Sequence, residues 1–556
     1  MAPHAPVAVT PGSRRIVIAG TLLALFLAAL DQTVVSTALP RIIADLQGIG
    51  LLAWVFSAYM LASTIVVPLI GKLGDQFGRK PIFLAAIVIF IAGSVAAGAA
   101  QSMLQLVVFR AVQGVGGGML FATSFAIVGD LYSPLERGRI QGLFAAMFGI
   151  SSVLGPALGG WITDATSWRW IFYINLPVGV LALAVVSLGM PWTRPLDGRR
   201  PRLDLWGSFT LTAALLPFLL ALVWAGDRYP WRSWEIAALI GLATVALAAF
   251  VQAERRASEP ILPLQLFRNR TFAVSAVILL LSGAGMFGAI TMLPLFLQGA
   301  QQIPAARAGS LMIPLSLALV GGSATAGQLM TRTGRYRFLV IGGAVIMTAG
   351  LLLLSRINVD TPYAQLVPRM ILVGAGLGLT MPVFAVIVQN ALPYQMLGVA
   401  TSAVQFFRSV GGTLGVAVFT GIMLHRFRSG LDGTAADVPA VTGNLSKLLN
   451  ERGATEVQRA YAESAPSGVA PWSQVLELAH VSQSEAIAGV FLIAACVVAV
   501  TFVFAWLLPE LELQRVSPQE MARRLAAQQT AHGAQPTHAV VAPTPASAIP
   551  HQPGDA

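Results

Sequence analysis

The sequence predicts an all-α integral membrane protein in which two six-helix bundles flank two additional central helices, fourteen transmembrane spans in all. Three observations carry that prediction. Of the 556 residues, 56% are hydrophobic and 11% charged, with a mean hydropathy of +0.74, whereas soluble domains carry about 25% charged residues. Apolar runs of about 20 residues, enough to cross a hydrocarbon core of about 30 Å, recur from Ile16 to Leu508. Third, a loop sequence of the first half returns loosely in the second.

The spans are expected at 16–38, 51–70, 82–100, 105–128, 140–162, 171–190, 207–225, 234–251, 273–298, 307–329, 338–355, 365–388, 397–423 and 485–508. The first has a basic start, but its apolar core is too long for a signal peptide and many spans follow, so it is read as retained. Residues 1–15 then form a disordered cytoplasmic N-terminus, 16–190 the N-terminal bundle, 191–272 two linker helices with flanking loops, and 273–508 the C-terminal bundle. An outward-facing insertion, 424–484, carries a weakly amphipathic stretch around Leu445, Leu448 and Leu449 that reads as a surface helix or as a partner-docking element. Residues 509–556 form a cytoplasmic tail too poor in apolar residues to fold for most of its length.

A formal charge of +11 would suggest nucleic acid if the basic residues shared one surface. They fall instead in alternate loops, so no nucleic-acid partner is expected. Arg14 and Arg15 precede the first span; Lys72, Arg79 and Lys80, then Arg137 and Arg139, then Arg194 to Arg202, Arg255 to Arg270, and Arg332 to Arg337 follow spans 2, 4, 6, 8 and 10, whereas the segment "ALPYQML" after span 12 is uncharged. The positive-inside rule places these segments, and with an even span count both termini, in the cytoplasm. The single cysteine, Cys496, lies in the last apolar run and reads as a buried structural thiol.

"GKLGDQFGRKPIF" from Gly71 recurs as "GQLMTRTGRYRFL" from Gly327, with Gly71, Gly78 and Arg79 matched by Gly327, Gly334 and Arg335. A weaker echo pairs "RAVQGVGGGML" from Arg110 with "RMILVGAGLGL" from Arg369. Repeated halves with a substrate site between them are a transporter architecture.

Of the 24 acidic residues, all but Asp31 fall in loops, tails or near expected helix ends, and none lies between Glu259 and Asp360 or between Asp360 and Asp432. An ionised group at depth costs about 2.5 kcal/mol or more and marks a functional site by default, and burial favours its neutral, protonated form. By rise per residue, Asp31 lies roughly 12 Å and Arg110 roughly 8 Å from the same outer edge. Arg110 is therefore expected to meet Asp31 directly or through Gln32, Gln113 or water; a static ion pair is the plainer reading.

In "GISSVLGPALGG", Gly149, Gly155, Gly159 and Gly160 surround Pro156, small residues that let helices approach closely and a proline that kinks one. Asp75 among Gly71, Gly74 and Gly78 suggests a charge latch more than a plain basic loop, with Asp75 on a helix N-terminus or an arginine and Arg79 reaching Asp130, beside Lys80. Arg369 and Arg408 have no acid in their half; Arg408 is expected to satisfy backbone carbonyls or to snorkel. Gln32, Trp54, Tyr59, Phe287, Phe296 and Gln405, with Arg408, are candidates for a substrate cavity wall, although each aromatic alone is more often packing.

These residues resemble the fourteen-helix drug/proton antiporters of the major facilitator superfamily, the group often called EmrB/QacA-like. "LDQTVVSTALP" from Leu30 is similar to that group's motif on the first helix, "GKLGDQFGRKPIF" to the superfamily's loop motif, "RAVQGVGGGML" to its fourth-helix motif and "GISSVLGPALGG" to its antiporter motif; "SWRWIFYINLPVG" from Ser167 is also typical. The resemblance covers nearly all of 16–508 and implies a major facilitator fold with Asp31 as proton and cation site, Arg110 as coupling partner, Gly155, Pro156 and Gly159 as hinge surface, and Asp75 with Arg79 as inner gate. It implies multidrug efflux by antiport in a bacterial cell membrane, driven by the proton gradient with no cofactor; an adaptor protein is left open. Members that handle divalent organic cations carry a further acid in the second half. None is present here, so neutral or monovalent cationic amphiphiles suit a single carboxylate better. Export of a lipid or an endogenous metabolite on the same fold is the alternative. An enzyme is disfavoured because HExxH, GxSxG and P-loop patterns are missing and the six histidines lack ligand spacing, so no metal is expected. A passive channel fits repeated halves less well.

Overall fold

A computed structural model describes residues 11–46, 51–191, 204–225, 229–257, 260–392, 396–431, 451–464 and 471–510. Among them the chain is helical with no strand, apart from an isolated bridge between Ala225 and Tyr229. The first bundle is α1 (Pro11–Leu46), α2 (Leu52–Phe77), α3 (Arg79–Gly98), α4 (Met103–Leu131), α5 (Pro134–Ala165) and a last span divided into α6 (Trp170–Tyr173) and α7 (Asn175–Gly189). That division falls just ahead of Pro177, which cannot donate to a carbonyl four residues back. Two linker helices follow, α8 (Leu205–Trp224) and α9 (Trp234–Arg256). The second bundle holds α10 (Arg270–Leu295), a short α11 (Ala305–Leu311) leading into α12 (Ile313–Thr333), α13 (Arg337–Leu354), α14 (Tyr363–Asn390), α15 (Leu397–Leu431), α16 (Glu451–Ser464) and α17 (Trp472–Trp506).

Thirteen of the described helical segments are long and apolar enough to cross a membrane. The 32-residue α5 stands outside that set. It occupies the place of the fifth expected span, but it opens with Glu136, Arg137 and Arg139 and is interrupted by glycines and serines.

Helices run past the ends that hydropathy marks. The first extends to Leu46 rather than 38, the second to Phe77 rather than 70, and α15 to Leu431 rather than 423; α17 begins at Trp472 rather than 485. Backbone hydrogen bonding continues through polar residues where the apolar signal stops. The expected insertion 424–484 is accordingly narrower, because both its ends are continuations of long helices. Leu445, Leu448 and Leu449 lie outside the described residues, as do residues 1–10 and 511–556. Within the insertion, α16 turns Val457 and Tyr461 into the core of the second bundle, with the Tyr461 ring 5.5 Å from Trp472. Its apolar face is thus occupied by its own bundle. Cys496 is exposed on the flank of α17, not buried as expected; an apolar run does not tell a lipid-facing position from a core one.

Each bundle has its own apolar core. Tyr59, Phe83, Phe90, Leu120 and Phe144 fill the first, and Met292, Phe296, Met370, Phe419 and Phe491 the second. The bundles meet along two seams, α5 against α12 and α2 against α15. The linker hairpin lays α8 along α2 and α15, where Leu211, Leu215, Leu219 and Leu222 pack with Leu61, Trp54 and Leu414.

Glycine sets the close approaches. In "GVGGG", a Cβ at Gly116 would lie 2.5 Å from the Phe90 nitrogen on α3, and one at Gly118 2.5 Å from the Ser63 carbonyl oxygen on α2. Replacing Gly116 by valine is expected to separate α3 from α4 and destabilise the bundle by about 1–3 kcal/mol or more, seen as a lowered melting temperature or aggregated elution. Gly342→Ala, where a Cβ meets nothing within 4 Å, is expected to melt like the parent.

Candidate functional site

Asp31 lies on α1, and both it and Arg110 on α4 have fully buried side chains. The Arg110 Nη1 donates to Asp31 Oδ2 at 2.6 Å and to Gln113 Oε1 at 2.8 Å, and its Nε donates to the Val55 carbonyl at 3.2 Å. Gln113 Nε2 donates to Asp31 Oδ1 at 2.8 Å. Asn175, at the start of α7, donates from Nδ2 to the same oxygen at 2.8 Å and to Ser94 Oγ at 2.9 Å. The Ser94 hydroxyl in turn donates to the Phe172 carbonyl. The Arg110 guanidinium lies over the Tyr59 ring, 4.5 Å from its centroid, a cation–π contact in a dry site. Nη2 has no hydrogen-bond acceptor among the described residues.

The carboxylate is therefore enclosed by one cation and two amide donors. Such a pair is balanced only while both charges are present, because removing one leaves the other buried and unpaired at a cost of about 3–5 kcal/mol. Asp31 offers no surface to a substrate cation in this conformation. Sequence spacing singled out Arg110 and Gln113 but not Asn175 or Ser94. Asn175 stands in "SWRWIFYINLPVG" as the amide of an otherwise apolar run, which was the available signal.

Two residues from Asp31, α5 meets α1. Gly155 presses on Thr33, whose hydroxyl donates to the Ser151 carbonyl at 2.9 Å. Other glycines of the same helix face the second bundle: a Cβ at Gly149 would lie 2.8 Å from Val320 Cγ2, and one at Gly138 2.8 Å from the Gly327 Cα. One helix thus touches both the carboxylate-bearing α1 and α12. Gly159 is buried, Gly160 has open space around it, and the Pro156 side chain lies outside the described residues.

The basic end of the molecule is closed by a polar latch. Arg79 pairs with Asp75 and, through Nε at 2.9 Å, with Asp130. Gly78 joins α2 to α3 at φ +90°, a left-handed conformation that suits glycine. The Asp75 carboxylate lies against the first turn of α15, where a Cβ at Gly398 would come within 2.5 Å of it; a helix N-terminus attracts negative charge. Gly71 lets the two backbones touch, since a Cβ there would lie 2.6 Å from the Gly398 carbonyl oxygen. Lys80 turns away from this latch and donates to the Ser187 carbonyl at 2.6 Å, tying α3 to α7 within its own bundle.

A second latch component was hidden in the sequence. Arg137 is 1% exposed. It donates to the Tyr132 carbonyl at 2.9 Å, to the Gly129 carbonyl at 2.6 Å and to Gln389 Oε1 on α14 at 2.8 Å. Gln389 Nε2 continues to Thr401 Oγ1 on α15 at 2.7 Å. As one of many loop cations, Arg137 was indistinguishable from a topogenic charge; nothing short of three-dimensional packing pairs it with an amide 252 positions away.

The cavity candidates separate. Tyr59 and Phe296 are not wall residues: both are fully packed, Tyr59 beneath Arg110 and Phe296 in the second core. Phe287 packs on Gly412, and Trp54 meets Trp224 of the linker hairpin edge-on at 5.9 Å. Gln32 is half-buried beside Asp31. Arg408 neither snorkels nor caps carbonyls; it donates to Gln405 Oε1 and to the Met381 sulfur at 3.7 Å.

Removing Arg137 should loosen the closed basic end. In a Cys496→Ser background, Ser402→Cys is expected to react with a hydrophilic maleimide about tenfold faster when Arg137→Ala is added, corresponding to about 1.4 kcal/mol of weakened closure. Unchanged labelling would remove Arg137 from the latch.

The sequence profile of the Major Facilitator Superfamily matches residues 21–416. Multidrug transporter protein MdtP of Bacillus subtilis (strain 168) is 35% identical over 527 residues, 92% of this chain and 96% of that protein. Multidrug resistance protein 3 of the same organism is 36% identical over 432 residues, 78% of this chain and 84% of that one. Among solved structures, the proton:xylose symporter XylE bound to 6-bromo-6-deoxy-D-glucose shares the fold with a TM-score of 0.58 at 14% identity, over 92% of this chain and 99% of that one. With its paired helical bundles and multiple membrane-crossing helices, the chain belongs to the major facilitator superfamily, a family of membrane transporters and not of enzymes.

Proposed function

We propose that the chain is a proton-coupled exporter of amphipathic small molecules, neutral or monovalent cationic, that works by alternating access as a fourteen-span member of the EmrB/QacA-like group. The observation that carries this reading is the enclosed Asp31–Arg110 pair; the relatives named as multidrug transporters support the direction and breadth of transport. Both termini and the latched basic end lie in the cytoplasm of a cell with this protein in its plasma membrane. This follows from the loop arginines and the positive-inside rule.

The coupling step is electrostatic. A proton arriving from outside neutralises Asp31 and leaves Arg110 as an uncompensated buried cation, so the arrangement of α1, α4 and α7 shown here is disfavoured. Because α5 packs on α1 at Gly155 and on α12 through Gly149 and Gly138, a shift of α1 is passed to the seam between bundles. Release of the proton inside restores the pair. Coupling requires only that proton and substrate differ in affinity for the two states.

The test is efflux of a neutral amphipathic dye from proteoliposomes under an imposed pH gradient. Wild type is expected to transport in proportion to the gradient and Asp31→Asn to lose that dependence while remaining folded. Equal, gradient-independent transport by both would end the antiport reading.

A further inference from the structure

The second bundle holds a charge that the coupling scheme does not use. Arg408 lies about eleven residues, or about 16 Å, from the start of α15, which is near the middle of a core about 30 Å thick. It lines a narrow crevice between α10, α14 and α15, together with Ser282, Leu377, Thr380, Met381 and Phe384. The position of its backbone is fixed, because a Cβ at Gly283 on α10 would lie 2.5 Å from the Arg408 carbonyl oxygen.

The guanidinium has no carboxylate partner, and the described spans of this bundle contain no acid that reaches it. Its side-chain contacts are one amide oxygen, from Gln405, and one sulfur, from Met381. Five donors in a planar fork are therefore matched by two acceptors. The crevice hydroxyls do not fill the deficit: Ser282 donates to the Ile278 carbonyl at 2.6 Å and Thr380 to the Gly376 carbonyl at 3.1 Å, and neither is directed at Arg408. Beside the fork, Leu377, Met381 and Phe384 offer an apolar wall.

We infer that this crevice is a recognition subsite for amphiphiles that carry a carboxylate, with Arg408 holding the carboxylate and the apolar wall holding the body of the molecule. A carboxylate is the planar acceptor that matches a guanidinium fork, and such charge-assisted pairs are stronger than neutral hydrogen bonds. The inference rests on the export reading and narrows it. An amphiphile with both a carboxylate and an ammonium is net neutral and fits, whereas a simple cation meets a fixed positive charge. Gln405 holds Nη2, and Nη1 meets only the Met381 sulfur, a weak acceptor that a carboxylate would displace.

The experiment measures binding, without a gradient, to the purified full chain in detergent. The probes are N-dansyl-phenylalanine and its primary amide, which differ only in the carboxylate, read by dansyl fluorescence. Wild type is expected to bind the acid about tenfold or more tightly than the amide. Arg408→Gln should bring that ratio to about one, and Arg408→Lys should keep part of it as a point charge without the fork. A wild-type ratio near one overturns the inference with no variant needed, and so does an unchanged ratio in a folded Arg408→Gln. If Arg408→Gln does not fold, Ser282→Asp, which supplies Arg408 with an internal carboxylate, should abolish the preference; retention overturns the inference. Failure of gradient-driven dye efflux with an intact acid preference would count against proton coupling and not against the subsite.

Discussion

The structure depends on two opposite charges kept out of water. Asp31 and Arg110 have no exposed side-chain surface, and burying either alone would cost far more than an ordinary mutation. Their coexistence demands a complete set of donors, which draws in Gln113 from the same helix as Arg110 and Asn175 from α7. It also demands that four helices meet at hydrogen-bond distance, which is where the small residues of α4 enter. With larger side chains at Gly114, Gly116 and Gly118, α2 and α3 could not close around the cluster. The apolar core and the polar site are thus one packing problem.

The same constraint gives the cluster something to act upon. A hydrophobic contact has no charge to lose, whereas an ion pair in a low-dielectric site holds only while both charges are present. The helix that touches α1 at Thr33 continues to α12 through further glycines, so the element beside the buried carboxylate is also the one that joins the bundles. At the basic end, by contrast, closure is held by hydrogen bonds across the seam from Arg137 through Gln389 to Thr401. Disturbance at one end and restraint at the other act on the same two bodies.

Much of this was legible in the sequence, for identifiable reasons. A lone carboxylate in an apolar run is conspicuous because membranes exclude charge, and comparing depths along two helices brought out Arg110. Asp75 and Arg79 were readable because glycines and charges share a short motif, and Asp130 because it is an acid at the end of the fourth span. What stayed hidden depends on contacts between distant segments. Arg137 looked like any loop cation, and Asn175, a lone amide in a mostly apolar run, had no partner that spacing along the chain could name. Tyr59 and Phe296 illustrate the converse: an aromatic on an apolar helix has the same signature whether it faces lipid, a core or a cavity. Helix ends were short for a related reason, since hydropathy stops at the bilayer edge and the helix of Trp472 does not.

The linker hairpin makes the two halves unequal in their surroundings. With α8 lying along α2 and α15, that seam is screened by a further layer of protein, while α5, at the other seam, presents Leu143, Phe148, Ile150, Leu154 and Trp161 outward. The pseudo-symmetry of the bundles therefore ends at their perimeter. Lipid therefore touches one seam directly and meets the linker hairpin before the other, so the surroundings of this protein have a front and a back.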